Sequence, residues 1–271
     1  RLVICSFARN NKSLRTMKAK TILNNVISLV SSKMHKTRRS SLIACVESLM
    51  SGSAATITSI GRGIRNNAFE KHRIKRADRL LSNRHLLTEV PFLYAVLCQM
   101  FCSARHPVIS VDWSDLDTHK GHFLLRAAIS VKGRPVTLYQ EVHCAKTKEK
   151  PTTHKAFLEI LRTILPSTCQ PIIVTDAGYK SPWFRAVSEH KWYIVGRIRK
   201  PHFCSAGPEK HWQSVTCFYE LAGTRPKRFD NARITKSHPF DCTLVLVRNK
   251  NKGRHALNAH GRRKTSKRSL D

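Results

Sequence analysis

Two short apolar runs that each end in an aspartate constrain this chain more than any other feature. The first run, 108–111, leads into Asp112, and the second, 171–175, leads into Asp176, 64 residues further on. Both runs have the composition of buried strands, where an unpaired carboxylate is costly to ionise. Two such acids on neighbouring strands could share a hard divalent cation, which points to phosphodiester chemistry. The alternative is that each acid only caps a turn.

The order of the elements predicts an α/β fold with a mixed sheet. Strands are predicted at 108–111, 123–131, 136–142, 172–175 and 192–198. A helix capped by Thr153 and ended by Pro166, and a second at 183–189, separate the last three strands. This β-β-β-α-β-α-β order is that of an RNase H-like core, in which the first and fourth strands are neighbours. Asp112 and Asp176 are therefore expected to meet at one edge of the sheet.

Upstream of this core, the sequence predicts an all-α, helix-turn-helix-like region. Helical periodicity covers 21–50, a short helix is predicted at 58–64, and a basic amphipathic helix at 70–81 follows the turn at 65–67. This arrangement is typical of DNA binding, and an ordinary solvated basic surface is the alternative. The candidate DNA contacts are the cations Arg62, Arg65, Arg73, Lys75, Arg76 and Arg79.

The charge balance favours a polyanionic partner. With 49 Lys and Arg against 17 Asp and Glu, the formal net charge is +32, which attracts nucleic acid through counterion release. A generally basic protein, such as a ribosomal one, is the alternative.

No run of 18 apolar residues occurs, so no membrane span is expected. Nine dispersed cysteines favour free thiols in a reducing compartment. Cys98, Cys102 and His106 have helical spacing for a metal, but buried thiols are the better interpretation.

Three motifs resemble those of bacterial DDE transposases of the insertion sequence four (IS-four) family. They are Val111-Asp112-Trp113-Ser114-Asp115, Gly133-Arg134-Pro135-Val136-Thr137-Leu138-Tyr139 and Thr175-Asp176-Ala177-Gly178-Tyr179-Lys180-Ser181-Pro182-Trp183. The likeness extends upstream through 74–86 and downstream to about Gly253. Within the family it is strongest to transposases that mobilise tetracycline-resistance composite transposons.

The resemblance implies an RNase H-like catalytic core and cut-and-paste transposition that depends on Mg²⁺ or Mn²⁺. Water would attack the phosphodiester at the end of the element, and the freed 3′-OH would attack the opposite strand to form a hairpin. The hairpin would then be opened, and the 3′-OH would be joined to target DNA. Asp112 and Asp176 would be the first two acids of the metal-binding triad, and the region 53–86 would bind the terminal inverted repeats. The expected partner is double-stranded DNA at the nucleoid of the bacterial cytoplasm, and the oligomeric state stays open.

The sequence departs from the family at the third acid. A Tyr-x2-Arg-x3-Glu-x6-Lys signature is expected on a helix beyond a β-rich insertion, but the residues three positions after Tyr193 and Tyr219 are Gly196 and Ala222. We therefore expect a truncated or frameshifted copy that binds DNA without cutting it. The alternatives are a non-catalytic remnant that occupies the inverted repeats and a different RNase H-like nuclease.

The expected organisation has three parts: a helical DNA-binding region at 1–103, an incomplete RNase H-like core at 104–247 and a basic, disordered tail at 248–271. Within the core, Tyr179 and Lys180 are candidate DNA contacts near the scissile phosphate, against the alternative that their loop packs on the sheet. Arg197 and Arg199, at the end of the fifth strand, are candidate phosphate contacts. Beyond that strand the pattern is less regular and predicts one further strand, at 242–247. Asp115 is expected to be solvated, beyond the first strand.

Overall fold

The computed structural model describes residues 19–119, 121–206, 211–248, 254–257 and 263–266. The chain divides into two compact units, Arg1–Phe101 and Cys102–Asp271. No helix in the described residues is long and apolar enough to cross a membrane.

The described residues of the first unit are helical apart from their connections. The helices are α1 (Ala19–Leu29), α2 (Lys36–Met50), α3 (Ile57–Gly63), α4 (Glu70–Leu81) and α5 (Arg84–Phe101), with a 3-10 turn at Ser31–Lys33. The predicted helix at 70–81 is confirmed. The single helical stretch predicted at 21–50 is wrong in its continuity, because the His35 side chain caps a new helix by accepting the Thr37 N–H.

Close packing of α3 on α4 forms one core of this unit. Ile60 of α3 and Ile64, directly after it, pack with Ala77 and Leu80 of α4. At Gly61 the backbones approach so closely that an added Cβ would lie 2.4 Å from Ile74 Cα. The glycine is therefore required by the approach of α4.

A buried ion pair joins α2 to α5. Arg38 donates to both carboxylate oxygens of Glu89, with Nε at 2.9 and 3.0 Å. Glu89 is 4% exposed, and its hydrogen bonds with Arg38 hold the pKa of its carboxyl below the usual value. An acid buried this deeply is tolerated because it is paired and hydrogen-bonded.

The second unit is built on a five-stranded mixed sheet. Its strands are β1 (Val108–Asp115), β2 (His122–Val131), β3 (Arg134–Cys144), β4 (Ile172–Thr175) and β5 (Tyr193–Gly196), in the order β3-β2-β1-β4-β5. The pairs β1–β2 and β2–β3 are antiparallel, and β1–β4 and β4–β5 are parallel. This topology is compatible with an RNase H-like core and confirms the predicted order of elements.

Two helices cover one face of this sheet. They are α6 (Pro151–Ile164) and α7 (Ser181–Glu189), and each presents an apolar stripe. Phe157 of α6 contacts the Tyr139 ring at 5.1 Å between centroids. The helix α6 begins after Lys150, so the prediction that Thr153 caps it was wrong. Thr153 instead lies in the first turn, where its hydroxyl donates to the Thr147 carbonyl.

A second sheet occupies a region in which the sequence predicted only one strand, at 242–247. It has the order β7-β6-β8-β9, from β6 (Phe203–Ser205), β7 (Trp212–Ser214), β8 (Lys227–Ile234) and β9 (Phe240–Leu246), with α8 (Val215–Tyr219) after β7. Three of its strands were missed because they are short or irregular. The register of β8 shifts between Phe229 and Ala232, and Asn231 has a φ of 56°.

The predicted disorder of the tail was wrong where the structure describes it. Two strands, β10 (Arg254–Leu257) and β11 (Arg263–Ser266), pair antiparallel with each other. Backbone hydrogen bonds between segments close in sequence can order a hairpin that has no apolar run of its own. The other residues of the predicted tail beyond Arg248 lie outside the described residues.

We expect Gly61→Ala to destabilise the first unit by about 1–3 kcal/mol, because the methyl group overpacks the α3–α4 contact. Thr58→Ala is the matched control, since Thr58 is exposed on the same helix. Urea unfolding monitored by circular dichroism measures both. Equal stability of the two variants would contradict the close approach.

Candidate functional site

The parallel β1–β4 pair brings the two predicted acids together. Val111 lies opposite Thr175 in this ladder, so Asp112 and Asp176 are the next residues on the two chains. Neighbouring strands are about 5 Å apart, and paired positions of a parallel ladder point to the same face. Val111 is 1% exposed while Asp112 and Asp176 are exposed. The two carboxylates therefore emerge side by side, on the face opposite to α6 and α7.

Charge repulsion is built into this pair. Partial burial raises the pKa of the Asp112 carboxyl, and the negative charge of Asp176 adds to the rise. The Trp113 backbone N–H opposes it by donating to Asp112 Oδ1 at 2.8 Å. The Gly178 N–H holds Asp176 Oδ1 at 2.8 Å. Both carboxylates are thus oriented by backbone donors while they repel each other, which is an arrangement that a shared cation would relieve.

The chemistry of these ligands fits one hard divalent cation. Mg²⁺ and Mn²⁺ favour carboxylate oxygens and are often bound through one or two of them, together with water and phosphate. In the parts of the chain that the structure describes, no group of three or more Asp, Glu, His or Cys side chains is arranged to hold a metal. The described residues therefore support one cation site more directly than the two-ion site of phosphoryl transfer.

The other acids near this pair in sequence or in the sheet face away from it or bind other groups. Asp115 is exposed, as predicted, but it is the last residue of β1 and does not lie beyond the strand. The alternation of side chains directs it away from the face of Asp112. Asp117 accepts the Gly121 and His122 backbone N–H groups in the following turn. Glu141 bonds the Tyr139 hydroxyl and His143.

The cysteine and histidine set does not share one helix face, because α5 ends at Phe101, before Cys102 and His106. Cys98 and Cys102 are buried, at 0% and 3% exposure. His106 Nδ1 lies 2.9 Å from the Gln170 carbonyl oxygen. The burial of both thiols agrees with their interpretation as buried cysteines.

A cluster of aromatic side chains packs against the segments that follow the two acids. Trp113 Nε1 donates to His154 Nε2 at 3.1 Å, and the His154 ring stacks on Tyr179 with centroids 5.4 Å apart. Tyr179 in turn contacts Trp183 at 4.8 Å. Burial lowers the pKa of His154 to about 4, so its neutral ring can accept the indole N–H at neutral pH. Trp113 follows Asp112 directly and Tyr179 follows Asp176 by three residues, so this cluster holds both acid-bearing segments.

Sequence reasoning did not identify His154 as part of this region. It lies one turn before Phe157 on the apolar stripe of α6, and it is 7% exposed. Its position on an otherwise apolar face was a usable signal, because a buried histidine needs a polar partner.

The burial of Tyr179 favours the alternative to its predicted role as a DNA contact. The side chain is 3% exposed, and among the described residues its buried hydroxyl has no hydrogen-bond partner, nor do Thr175 Oγ1 and Trp183 Nε1. Burial, followed by the charges of Asp112, Asp176 and Glu149, raises the pKa of the Tyr179 phenol. The neutral phenol therefore belongs to the packing beneath the acids, as the alternative of loop packing expected.

Cations line the same edge of the sheet. Gly196 of β5 pairs with Thr175, so Arg197 follows beside Asp176 and is exposed. Both Arg197 and Arg199 lie beyond β5, because the strand ends at Gly196, two residues before its predicted end at 198. Lys180 is exposed at the N-cap of α7. The sheet thus places at least one arginine next to the acid pair.

In the first unit, the predicted DNA-binding cations have separate environments. Arg62 is paired with Glu70 at 2.8 Å. Arg73 Nη1 donates to the Arg62 and Ile64 carbonyls at the end of α3, and Arg65 is exposed in the α3–α4 connection. Lys75, Arg76 and Arg79 line a groove between α4 and α2. The six cations therefore do not form one continuous surface at the turn between α3 and α4.

Comparison with known proteins identifies the family. The model of the transposase DDE domain matches residues 103–260, more than half of the chain, and this segment includes both acids and both larger sheets. No curated protein matches the chain. The match places Asp112 and Asp176 within a domain that acts on DNA, and the chain belongs to the transposase DDE domain family.

Proposed function

We propose that this protein is an IS-four-type transposase, a class that hydrolyses phosphodiester bonds and transfers the freed strand in cut-and-paste transposition, and that its second unit carries the first two acids of the catalytic site. The proposal depends on one observation: Asp112 and Asp176 emerge side by side from the β1–β4 pair. Membership in the DDE transposase family supplies the substrate class. The similarity within that group to transposases of tetracycline-resistance composite transposons rests on the sequence motifs.

The two aspartates would hold a Mg²⁺ or Mn²⁺ ion, which when bound lowers the pKa of an attacking water or hydroxyl and stabilises the leaving oxygen. Arg197 would hold a non-bridging phosphate oxygen beside Asp176, with Lys180 and Arg199 adding positive charge nearby. The Gly178 and Trp113 N–H groups keep the carboxylates in position. The first unit would bind the terminal inverted repeats of the element at the bacterial nucleoid.

We further propose that the 271-residue polypeptide binds duplex DNA without cutting it. Within the described residues, no third acid joins Asp112 and Asp176 in a metal-binding group, whereas the net charge of +32 favours DNA binding. A non-catalytic protein that occupies transposon ends is the second candidate, and the same charge supports it. A different RNase H-like nuclease would need a complete acid set in this chain.

We expect Asp112→Asn and Asp176→Asn each to weaken Mn²⁺ binding at least tenfold, because each removes one of two anionic ligands. Asp115→Asn is the matched control, since it lies on the same strand with its side chain on the other face. Electron paramagnetic resonance of free Mn²⁺ measures the affinity. Equal loss in all three variants would show that general negative charge, rather than this pair, binds the ion.

Without metal, Asp176→Asn should leave the melting temperature at pH 7 equal or higher. The pKa of Asp112 is raised in the fold, so its ionised form destabilises the folded state at pH values above that pKa, and stability is regained as the pH falls through it. Removing the Asp176 charge lowers the pKa of Asp112 towards 3.8. Carbon-13 NMR titration of the Asp112 carboxyl measures the shift, and an unchanged pKa would contradict the charge coupling.

Purified 271-residue protein should bind duplex DNA but should not nick it in Mg²⁺ or Mn²⁺. A supercoiled plasmid that carries the DNA flanking this coding sequence is the substrate, and gel electrophoresis separates nicked from supercoiled forms. Asp112→Asn is the control for contaminating nucleases. Metal-dependent nicking by the wild-type chain that is lost in Asp112→Asn would refute the non-cutting proposal and support an active site.

A further inference from the structure

A basic groove lies between the first turns of α2 and the length of α4. Its volume is about 960 Å³, and six of its twelve lining residues are lysine or arginine while none is acidic. The six cations are Lys36, Arg38, Lys71, Lys75, Arg76 and Arg79. Lys36, Arg38 and Lys71 were not among the candidate DNA contacts chosen from the sequence.

Most of this charge is not neutralised by the residues that the structure describes. Arg38 is engaged by Glu89. Arg76 is anchored by the Ser40 and Ser41 hydroxyls at 2.8 and 3.0 Å, but these partners are neutral and leave its charge available. Among the ion pairs of the described residues, none includes the remaining four cations: Lys36, Lys71, Lys75 and Arg79.

The N-terminus of α2 adds positive potential to the groove, and no acidic residue in its first turn offsets this potential. This 15-residue helix has no acid in its first turn, and Lys36 is its first residue. The helix dipole disfavours a cation there and favours an anion. Lys36 therefore lowers helix stability slightly, and a bound anionic ligand would account for its position.

The spacing of the cations suits a linear polyanion. Lys71, Lys75 and Arg79 recur every four residues along one side of α4, at steps of about 6 Å. A single phosphate group cannot contact all three, whereas a nucleic acid strand carries charge at regular intervals. By contrast, Arg62 and Arg73 at the α3 end are held by Glu70 and by backbone carbonyls.

We propose that the α2–α4 groove binds the sugar–phosphate backbone of double-stranded DNA without reading its bases. The inference rests on the proposed DNA-binding function, and it assigns the phosphate contacts to both walls of the groove, α2 as well as α4. Lys36 and Lys75 contact phosphates from opposite walls, and Arg76 spans the groove from α4 to α2. Such contacts position the duplex and contribute affinity that is independent of sequence.

The test compares two charge-matched double variants of the 271-residue protein. Lys36→Gln with Lys75→Gln removes one cation from each wall, and Lys33→Gln with Arg105→Gln removes two exposed cations outside the groove. Fluorescence anisotropy with two duplexes of unrelated sequence, at several salt concentrations, measures affinity. We expect the groove variant to lose about 1.8 from the slope of log K against log salt on both duplexes, and Lys36→Gln alone to lose about 0.9. The control should change much less.

A second readout separates binding from folding. Because Lys36 opposes the helix dipole, Lys36→Gln should keep or raise the melting temperature while it weakens DNA binding. If the groove and control variants lose the same slope, or if Lys36→Gln changes nothing, the groove proposal is wrong although DNA binding stands. A loss confined to one duplex would overturn backbone binding in favour of base reading. Failure of the wild-type chain to bind any duplex would overturn both this inference and the proposed function.

Discussion

The parallel pairing of β1 with β4 is the interaction on which the proposed chemistry depends. It sets Asp112 and Asp176 next to each other although they are far apart along the chain, and the resulting repulsion contributes to the raised pKa of Asp112. A fold selected for stability alone would separate these charges. The contacts among Trp113, His154 and Tyr179 hold the two segments in place. The repulsion between the two carboxylates therefore persists in the folded protein, and a bound cation would reduce it.

Basic residues of this chain fall into two groups that the net charge cannot distinguish. Some stabilise the fold: Arg38 neutralises the buried Glu89, Arg73 binds carbonyl oxygens at the end of α3, and Arg185 donates to the His238 carbonyl next to the second sheet. Others, such as Lys36 and Lys75, are left without an acidic partner among the described ion pairs and face a common groove. Only the second group is available to a polyanion, so the formal charge overstates the number of DNA contacts.

Periodicity was sufficient to predict the elements that carry long apolar patterns. The helix at 70–81 and the strand at 172–175 have their predicted bounds, because each has a clear stripe or run ended by turn residues. Short strands such as Phe203–Ser205 hold too few residues to show alternation, and the shift in register within β8 interrupts it further. Their pairing depends on partners distant in sequence, which explains why most of the second sheet was missed.

The amino-acid sequence by itself determined the strand order, the two candidate acids and the attraction to polyanions, because these depend on local patterns and on composition. Tertiary structure decided which side chains can act. It directed Tyr179 inwards and Asp115 away from the face of Asp112, and it used Arg62 and Arg73 within the first unit. It also brought Lys36 of one helix opposite Lys75 of another. The reason is physical: burial, facing and ion pairing are set by contacts between distant segments, and no local pattern records them.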